Sequence, residues 1–257
     1  MSFRIDLNAD LGEGAASEGE LLNLVSSANI ACGFHAGDAD TMRKSIEAAR
    51  DSKVAVGAHP SFFDRENFGR KELSLSSDEV FEAVAYQLGI FQAIAETAGI
   101  RPNHVKPHGA LYNMAARDAR IAEVVAAAVS KVDAKLILFA PINSALERLG
   151  NAANLQIAHE VFADRNYLSD GFLVPRTRSD ALLHDPVDAA ARVVRMLREG
   201  RVRSVDGGDV DVRAETVCVH GDTPGAVEFA RVLRARLEQE GVIVRPPKFY
   251  DEKNRSG

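Results

Sequence analysis

The segment Arg4-Ile5-Asp6-Leu7-Asn8-Ala9-Asp10-Leu11-Gly12-Glu13-Gly14 decides how the fold is read. It opens as a short strand, Arg4–Asn8, with an apolar residue at every second position, and runs into acids, an amide and glycines. Side chains alternate across a strand, so Asp6, Asn8 and Asp10 share one face and bring two carboxylates together with an amide. Crowded carboxylates suit acid/base work or a cation, while solvated turn chemistry at a strand end is the plainer alternative.

Working outward, the same grammar recurs along the chain. Short apolar runs alternate with longer segments of helical period, the pattern of βα units around a parallel sheet. Seven strands are expected: Arg4–Asn8, Ala28–Ala31, Val54–Ala58, His104–Lys106, Lys135–Phe139, Leu155–Ala158 and Thr216–Val219. Helix signals separate them. Ser76 and Glu79 have capping-box spacing before a stripe of Val80, Val84, Leu88, Phe91 and Ala95. Asp185-Pro186 opens a helix with Val187, Ala190, Ala191, Val194 and Leu197 expected inward. Thr223-Pro224 opens another, with Ala226, Phe229, Ala230, Leu233 and Leu237 as its stripe. Asp206-Gly207-Gly208-Asp209 suggests a small hairpin within Ser204–Val212. No linker or composition break divides residues 1–257, so one domain is expected.

Composition narrows the function. The 257 residues carry 31 Lys+Arg against 37 Asp+Glu, a net charge of −6, and 46% are hydrophobic. No basic block exceeds a pair, which disfavours nucleic acid and anionic membrane as partners. No apolar run reaches spanning length and no signal-peptide core opens the chain, so a cytoplasmic protein is expected. Cys32 and Cys218 lie far apart without metal spacing and are read as thiols.

Parallel α/β folds and barrels place their ligand sites at the carboxyl ends of the strands, and the unusual residues fall there. His35, His59, His108, His159 and His220, five of the seven histidines, all follow or end expected strands, joined by Glu13, Asp38, Lys106 and Glu160. Such a rim reads as an enzyme. Asp10, His59 and His108 could hold a divalent metal, although no HExxH or CxxC accompanies them. Lys106 could stabilise an oxyanion. Two long connections, residues 60–70 and 161–176, are expected to cover the site, and Arg65, Arg70, Arg165 and Arg176 could clamp a carboxylate. Their phenylalanines equally suit a partner interface. Cys32 with His35 is a weak nucleophile candidate lacking an orienting acid, and Cys218 is read as a small core residue. Gly12-Glu13-Gly14 lacks the Lys-Ser/Thr of a phosphate loop.

Together, Asp6–Glu13, Ala28–Asp38, Gly57–Phe62, Asn67–Arg70, Lys106–Tyr112, Glu160–Tyr167 and Val219–Asp222 closely resemble the LamB/YcsF family, that of the 5-oxoprolinase A-subunit, with a variable tail after Tyr250. The resemblance implies a seven-stranded β/α barrel related to the glycoside hydrolase/deacetylase barrels. It also implies ATP-dependent hydrolysis of 5-oxo-L-proline to L-glutamate with two further subunits, B and C. On that reading Asp10, His59, Lys106 and His108 carry the chemistry. Asp6, Asn8, Glu13, His35, Asp38, Arg70, Glu160, Arg165, Arg176 and His220 bind substrate, and ATP is handled with the partner subunits. A stand-alone metal-dependent deacetylase or amidohydrolase, and a non-catalytic lactam-binding subunit, are the competing expectations.

Overall fold

A computed structural model describes residues 3–221 and 225–249. Along the chain run β1 (Arg4–Leu11), α1 (Glu18–Leu21), β2 (Ser27–Ala31), α2 (Ala39–Asp51), β3 (Ala55–His59), α3 (Ser77–Thr97) and β4 (His104–Val105). They are followed by α4 (Gly109–Arg117), α5 (Ala119–Asp133), β5 (Ile137–Ala140), α6 (Ala145–Ala152) and β6 (Ile157–Phe162). The remainder comprises α7 (Pro186–Glu199), β7 (Arg201–Arg203), β8 (Asp209–Asp211), β9 (Thr216–Val219), α8 (Ala226–Gln239) and β10 (Ile243–Val244). Strands β1 to β6 and β9 pair in that order, all parallel, and β9 returns to β1 to close a seven-stranded barrel. The short β10 extends the sheet beside the start of β1, Arg4 opposite Ile243. Strands β7 and β8 form the expected antiparallel hairpin outside it.

The alternation of β1 explains where the two cores lie. Ile5, Leu7, Ala9 and Leu11 point outward and are buried under the helical layer, where they join the main apolar core. Asp6, Asn8 and Asp10 point into the barrel, whose interior is mostly polar. Ser27, Asn29, His104, Lys106, Glu160 and Thr216 share that interior, and Ile137, Phe139 and Ala158 supply a separate small apolar cluster. Gly57 makes this packing possible, since a Cβ there would lie 2.1 Å from His104 Nε2.

The capping box of Ser76 and Glu79 forms as expected, and its stripe from Val80 to Ala95 is buried. Asp185 caps α7 with Pro186 in its first turn, yet the inward face is Ala189, Ala190, Val193, Val194 and Met196. Val187 is 64% exposed, because the first turn projects past the core and the stripe begins two residues later than its apolar residue suggests. The α8 stripe is buried as expected, whereas Asp222, Thr223-Pro224 and Tyr250 lie outside the described residues. Among the described residues no helix is long and apolar enough to cross a membrane.

Candidate active site at the carboxyl mouth of the barrel

The strands β1 and β6 run further than their apolar patterns suggest, and this carries Asp10 and Glu160 into the barrel as strand residues. Asp10, His59, Lys106, His108, Glu160 and His220 line a cavity of about 590 Å³ at the mouth, together with Arg70, Arg165 and Arg176. That volume lies within the usual range for small-molecule sites.

Lys106 is the buried cation of the site. Its ammonium lies 2.9 Å from Asp10 Oδ1, 3.1 Å from Glu160 Oε1 and 2.9 Å from Cys218 Sγ. Burial pulls its pKa down, but Asp10, Cys218 and Glu160 outweigh that and hold it well above the usual lysine value. Burial alone would raise the Asp10 carboxyl; His59 and Lys106 reverse the sign and hold it well below the ordinary carboxylate range. Both groups are therefore ionised at neutral pH. Cys218 packs in a small apolar cluster with Tyr112 and Phe162, as expected, and its parity on β9 also sets its thiol against Lys106.

A floor of hydrogen bonds holds these groups. Asn29 Nδ2 donates to Asp10 Oδ1 at 2.8 Å and to Asn8 Oδ1 at 2.7 Å, while His104 Nε2 donates to Asn29 Oδ1 at 2.8 Å. Asn8 Nδ2 donates to Glu160 Oε1 and to Thr216 Oγ1. Asp6 accepts from Ser26, Ser27 and Thr216 hydroxyls at 2.6, 2.8 and 2.6 Å. Neither Asp6 nor Asn8 lines the cavity, so the expectation that they bind substrate is corrected: their side chains are consumed in support. Asp38 is also removed from the site, because it is exposed and accepts from Thr41 N as the cap of α2.

The histidines divide. His59 Nδ1 lies 2.6 Å from the Lys106 carbonyl and His108 Nε2 lies 2.9 Å from the Phe68 carbonyl. A carbonyl only accepts, so each of those nitrogens carries the proton. Their other nitrogens, His59 Nε2 and His108 Nδ1, face each other at 2.9 Å. Glu13 Oε1 is 3.0 Å from His35 Nε2, 3.4 Å from His108 Nδ1 and 3.9 Å from His59 Nε2. His35 stacks on His108 at 3.8 Å between centroids. Glu13, His35, His59 and His108 offer four ligand atoms within 4.8 Å of one another, and Asp10, Cys218 and His220 offer three within the same limit. Of the cluster expected from sequence, Asp10 keeps one oxygen 3.4 Å from His59 Nε2 and turns the other to Lys106, while Glu13 and His35 join His59 and His108 from the other side.

His220 Nδ1 lies 2.8 Å from Asp164 Oδ2, a carboxylate that orients the ring at the cavity. His159 is not at the mouth. With β6 extended, its parity turns it outward, between Glu215 and Glu147 at 2.7 Å each. Cys32 is buried, its thiol pushed up to about 12 by burial, and it contacts the Ile30 carbonyl, which leaves it without nucleophilic character.

The connection after β3 seals the cluster. Phe68 adopts φ +55 and places its carbonyl on His108, and a Cβ on the following Gly69 would lie 2.9 Å from His35 Cβ. Arg65 bonds the Gly37 carbonyl, and Arg70 lies over the Phe68 ring. Phe62 is buried, whereas Phe63 is exposed and meets Phe34 edge to face. Arg165 is 4% exposed and donates to the Val174 carbonyl, and burial lowers its pKa to about 10. Tyr112, which sequence reasoning does not single out, lines the cavity with its buried hydroxyl beside the Glu160 carboxylate, and burial and that carboxylate raise its pKa well above the ordinary phenol value. Tyr112 stands four residues past His108 on α4, so the helical period is the signal that could find it. His104, two residues before Lys106, shares its inward face.

Residues 5–251 match the model of the LamB/YcsF family. A protein of Rhodopseudomonas palustris (strain BisA53), named as the A-subunit of 5-oxoprolinase, is 50% identical over 248 residues, covering 94% of this chain and 97% of its own. The crystal structure of the lactam utilization protein from Thermus thermophilus is 44% identical, with a TM-score of 0.88 over 95% of this chain and 99% of that one. The T48 deacetylase, at 14% identity and a TM-score of 0.51 over 95% of this chain and 87% of that one, shares the fold alone. With its match spanning nearly the whole barrel, the chain belongs to the LamB/YcsF family.

Proposed function

We propose that this chain is the A-subunit of a cytoplasmic ATP-dependent 5-oxoprolinase, hydrolysing 5-oxo-L-proline to L-glutamate together with subunits B and C. The relative of 50% identity that bears this name supports the reaction. The observation that carries the site is Lys106, a buried cation bracketed by Asp10 and Glu160 in a cavity also lined by Arg70, Arg117, Arg165 and Arg176.

A five-membered lactam is an unstrained amide with a poor leaving group. Transfer of the γ-phosphoryl group of ATP to the lactam oxygen releases ADP and leaves an activated imidate. Water then adds to the ring carbon, the C–N bond breaks with its electron pair and a proton going to nitrogen, and a second water frees phosphate. Lys106 faces the negative charge that grows on the oxygen or phosphoryl group. Arg165, Arg176 and Arg70 supply fixed donors for the substrate carboxylate. The neighbouring Glu160 carboxylate and Tyr112 hydroxyl face the ring amide, and His220, held by Asp164, is placed to pass a proton to the leaving nitrogen. Asp10 and His59 are the two acceptors for the proton of the attacking water. With no Walker-type loop in the chain, ATP is handled with B and C.

The test mixes this chain with candidate B and C subunits, 5-oxoproline and ATP, and measures glutamate and phosphate. Equal amounts of both are expected, and Asp10→Ala or His108→Ala should abolish turnover while the complex still assembles. Near-normal turnover in either variant would refute its assignment; glutamate without ATP would point instead to a stand-alone hydrolase.

A further inference from the structure

The geometry points to a site for one divalent first-row transition ion, best matched to zinc, formed by Glu13, His35, His59 and His108. The Lys106 and Phe68 carbonyls fix protons on His59 Nδ1 and His108 Nε2, so His59 Nε2 and His108 Nδ1 meet at 2.9 Å as two lone pairs. Two acceptors in contact repel unless a cation lies between them. Backbone carbonyls that hold the far nitrogen of an imidazole are the usual outer support of a metal-binding histidine.

A single shared proton would satisfy only this pair. His35 keeps the site unbalanced in either neutral tautomer. With the proton on Nε2 it donates to Glu13, and Nδ1 is left buried without a partner. With the proton on Nδ1 that hydrogen has no acceptor, and the Nε2 lone pair faces the Glu13 carboxylate at 3.0 Å. An ion bound to His35 Nε2, His59 Nε2, His108 Nδ1 and Glu13 Oε1 removes both facing-acceptor contacts at once.

The dimensions agree. Tetrahedral zinc with ligands at roughly 2.0–2.1 Å places neighbouring ligand atoms about 3.3 Å apart. Four of the six separations, 2.9, 3.0, 3.4 and 3.9 Å, bracket that edge and all lie within 4.8 Å; because His35 stacks parallel on His108, one of those two rings turns when both lone pairs meet the ion. Three imidazoles and one carboxylate form a donor set for zinc, cobalt or manganese in preference to magnesium or calcium, which select oxygen. The site is also walled: His35, His59 and His108 are 2%, 1% and 4% exposed, and Gly69 with Phe68 closes one side. The competing group of Asp10, Cys218 and His220 already has the Lys106 ammonium against Asp10 and Cys218, so a second cation there is opposed.

The ion has a consequence for the hydrolytic reading, on which only this point rests. With His59 Nε2 bound to metal, Asp10, whose Oδ2 lies 3.4 Å from that nitrogen, becomes the acceptor for the proton of water.

The test is a titration of the metal-free full chain with Zn²⁺ by calorimetry, repeated with Co²⁺ while its visible absorption is recorded. One equivalent of each ion and the intense absorption of low-coordinate Co²⁺ are expected. His59→Gln/His108→Gln should lower affinity by at least about 100-fold, the upper end of what loss of mere outer support costs. Glu13→Gln/His35→Gln serves as a second variant should the first not fold, and carries the same expectation. Absence of stoichiometric binding of Zn²⁺, Co²⁺ and Mn²⁺ by the unaltered chain would overturn the site, as would unchanged affinity in a folded variant. Binding is read without turnover, so its failure and that of the 5-oxoprolinase reading remain separate.

Discussion

The two ends of one strand behave differently. At the barrel floor, Asp6 has three hydroxyl donors, and each donor is built into β2, β9 or the turn before β2. At the mouth, four residues further along the same face, Asp10 shares Lys106 with Glu160, and around it lie facing imidazole nitrogens and a buried atom of Arg165 without a partner. Buried polar groups normally find partners, and a half-satisfied network costs more than an apolar core. The floor is finished within the chain. The mouth is completed by what binds there.

That contrast orders the expected effects of substitution. Lys106→Met strikes the mouth hardest: turnover in the three-subunit mixture should fall by roughly 10²–10³ or more, the scale of losing a charge-stabilising donor. It also leaves Asp10 and Glu160 facing each other, so a thermal melt should show destabilisation on the order of 3–5 kcal/mol. Arg176→Ala should act on binding, raising KM for 5-oxoproline by about 10–100-fold through loss of a charged hydrogen bond, with a smaller change in kcat. At the floor the balance reverses. Thr216→Val should cost about 1–3 kcal/mol in denaturant melts, because Asp6 and Asn8 both lose a partner, while KM stays near its original value.

The smallest effect is in the pH dependence of stability. Burial first, then Lys106, lowers the His104 pKa from 6.5 to about 3. The unfolded chain therefore takes up a proton that the folded one refuses, and stability falls as pH drops from 6.5 toward about 3. Asp6 has the opposite sign: burial raises it from 3.8 to about 6, so its contribution is present at low pH and lost as pH rises across that interval. Melts of His104→Gln and Asp6→Asn as a function of pH should flatten the first and second of these slopes; unchanged profiles would show that the floor does not hold the charge states assigned to it.

Much of the barrel is legible in the sequence. Periodicity alone places seven parallel strands, and the shared face of Asp6, Asn8 and Asp10 follows from alternation. Periodicity does not show which end of that face is closed, since Ser26, Ser27 and Thr216 come from segments far apart along the chain. Strand length is the second gap. An apolar pattern stops where polar inward residues begin, so β1 and β6 read short, Glu160 reads as a loop residue and His159 as part of the rim. His104 is obscured for a related reason, because a barrel with a polar interior inverts the usual meaning of an inward residue. Gly57 inside a strand is the visible trace of His104. Lys106 and His108 need no such help, each standing at a strand end beside a proline.

The most direct measurement compares two conservative changes on the same strand and face, Asp10→Asn and Asp6→Asn, in the reconstituted complex with 5-oxoproline and ATP. Loss of turnover by at least about 10²-fold in Asp10→Asn, with kcat in Asp6→Asn within a few-fold of the unaltered chain, is the predicted result. Equal losses in the two variants, or full turnover with Asp10→Asn, would contradict the division between a finished floor and a reactive mouth.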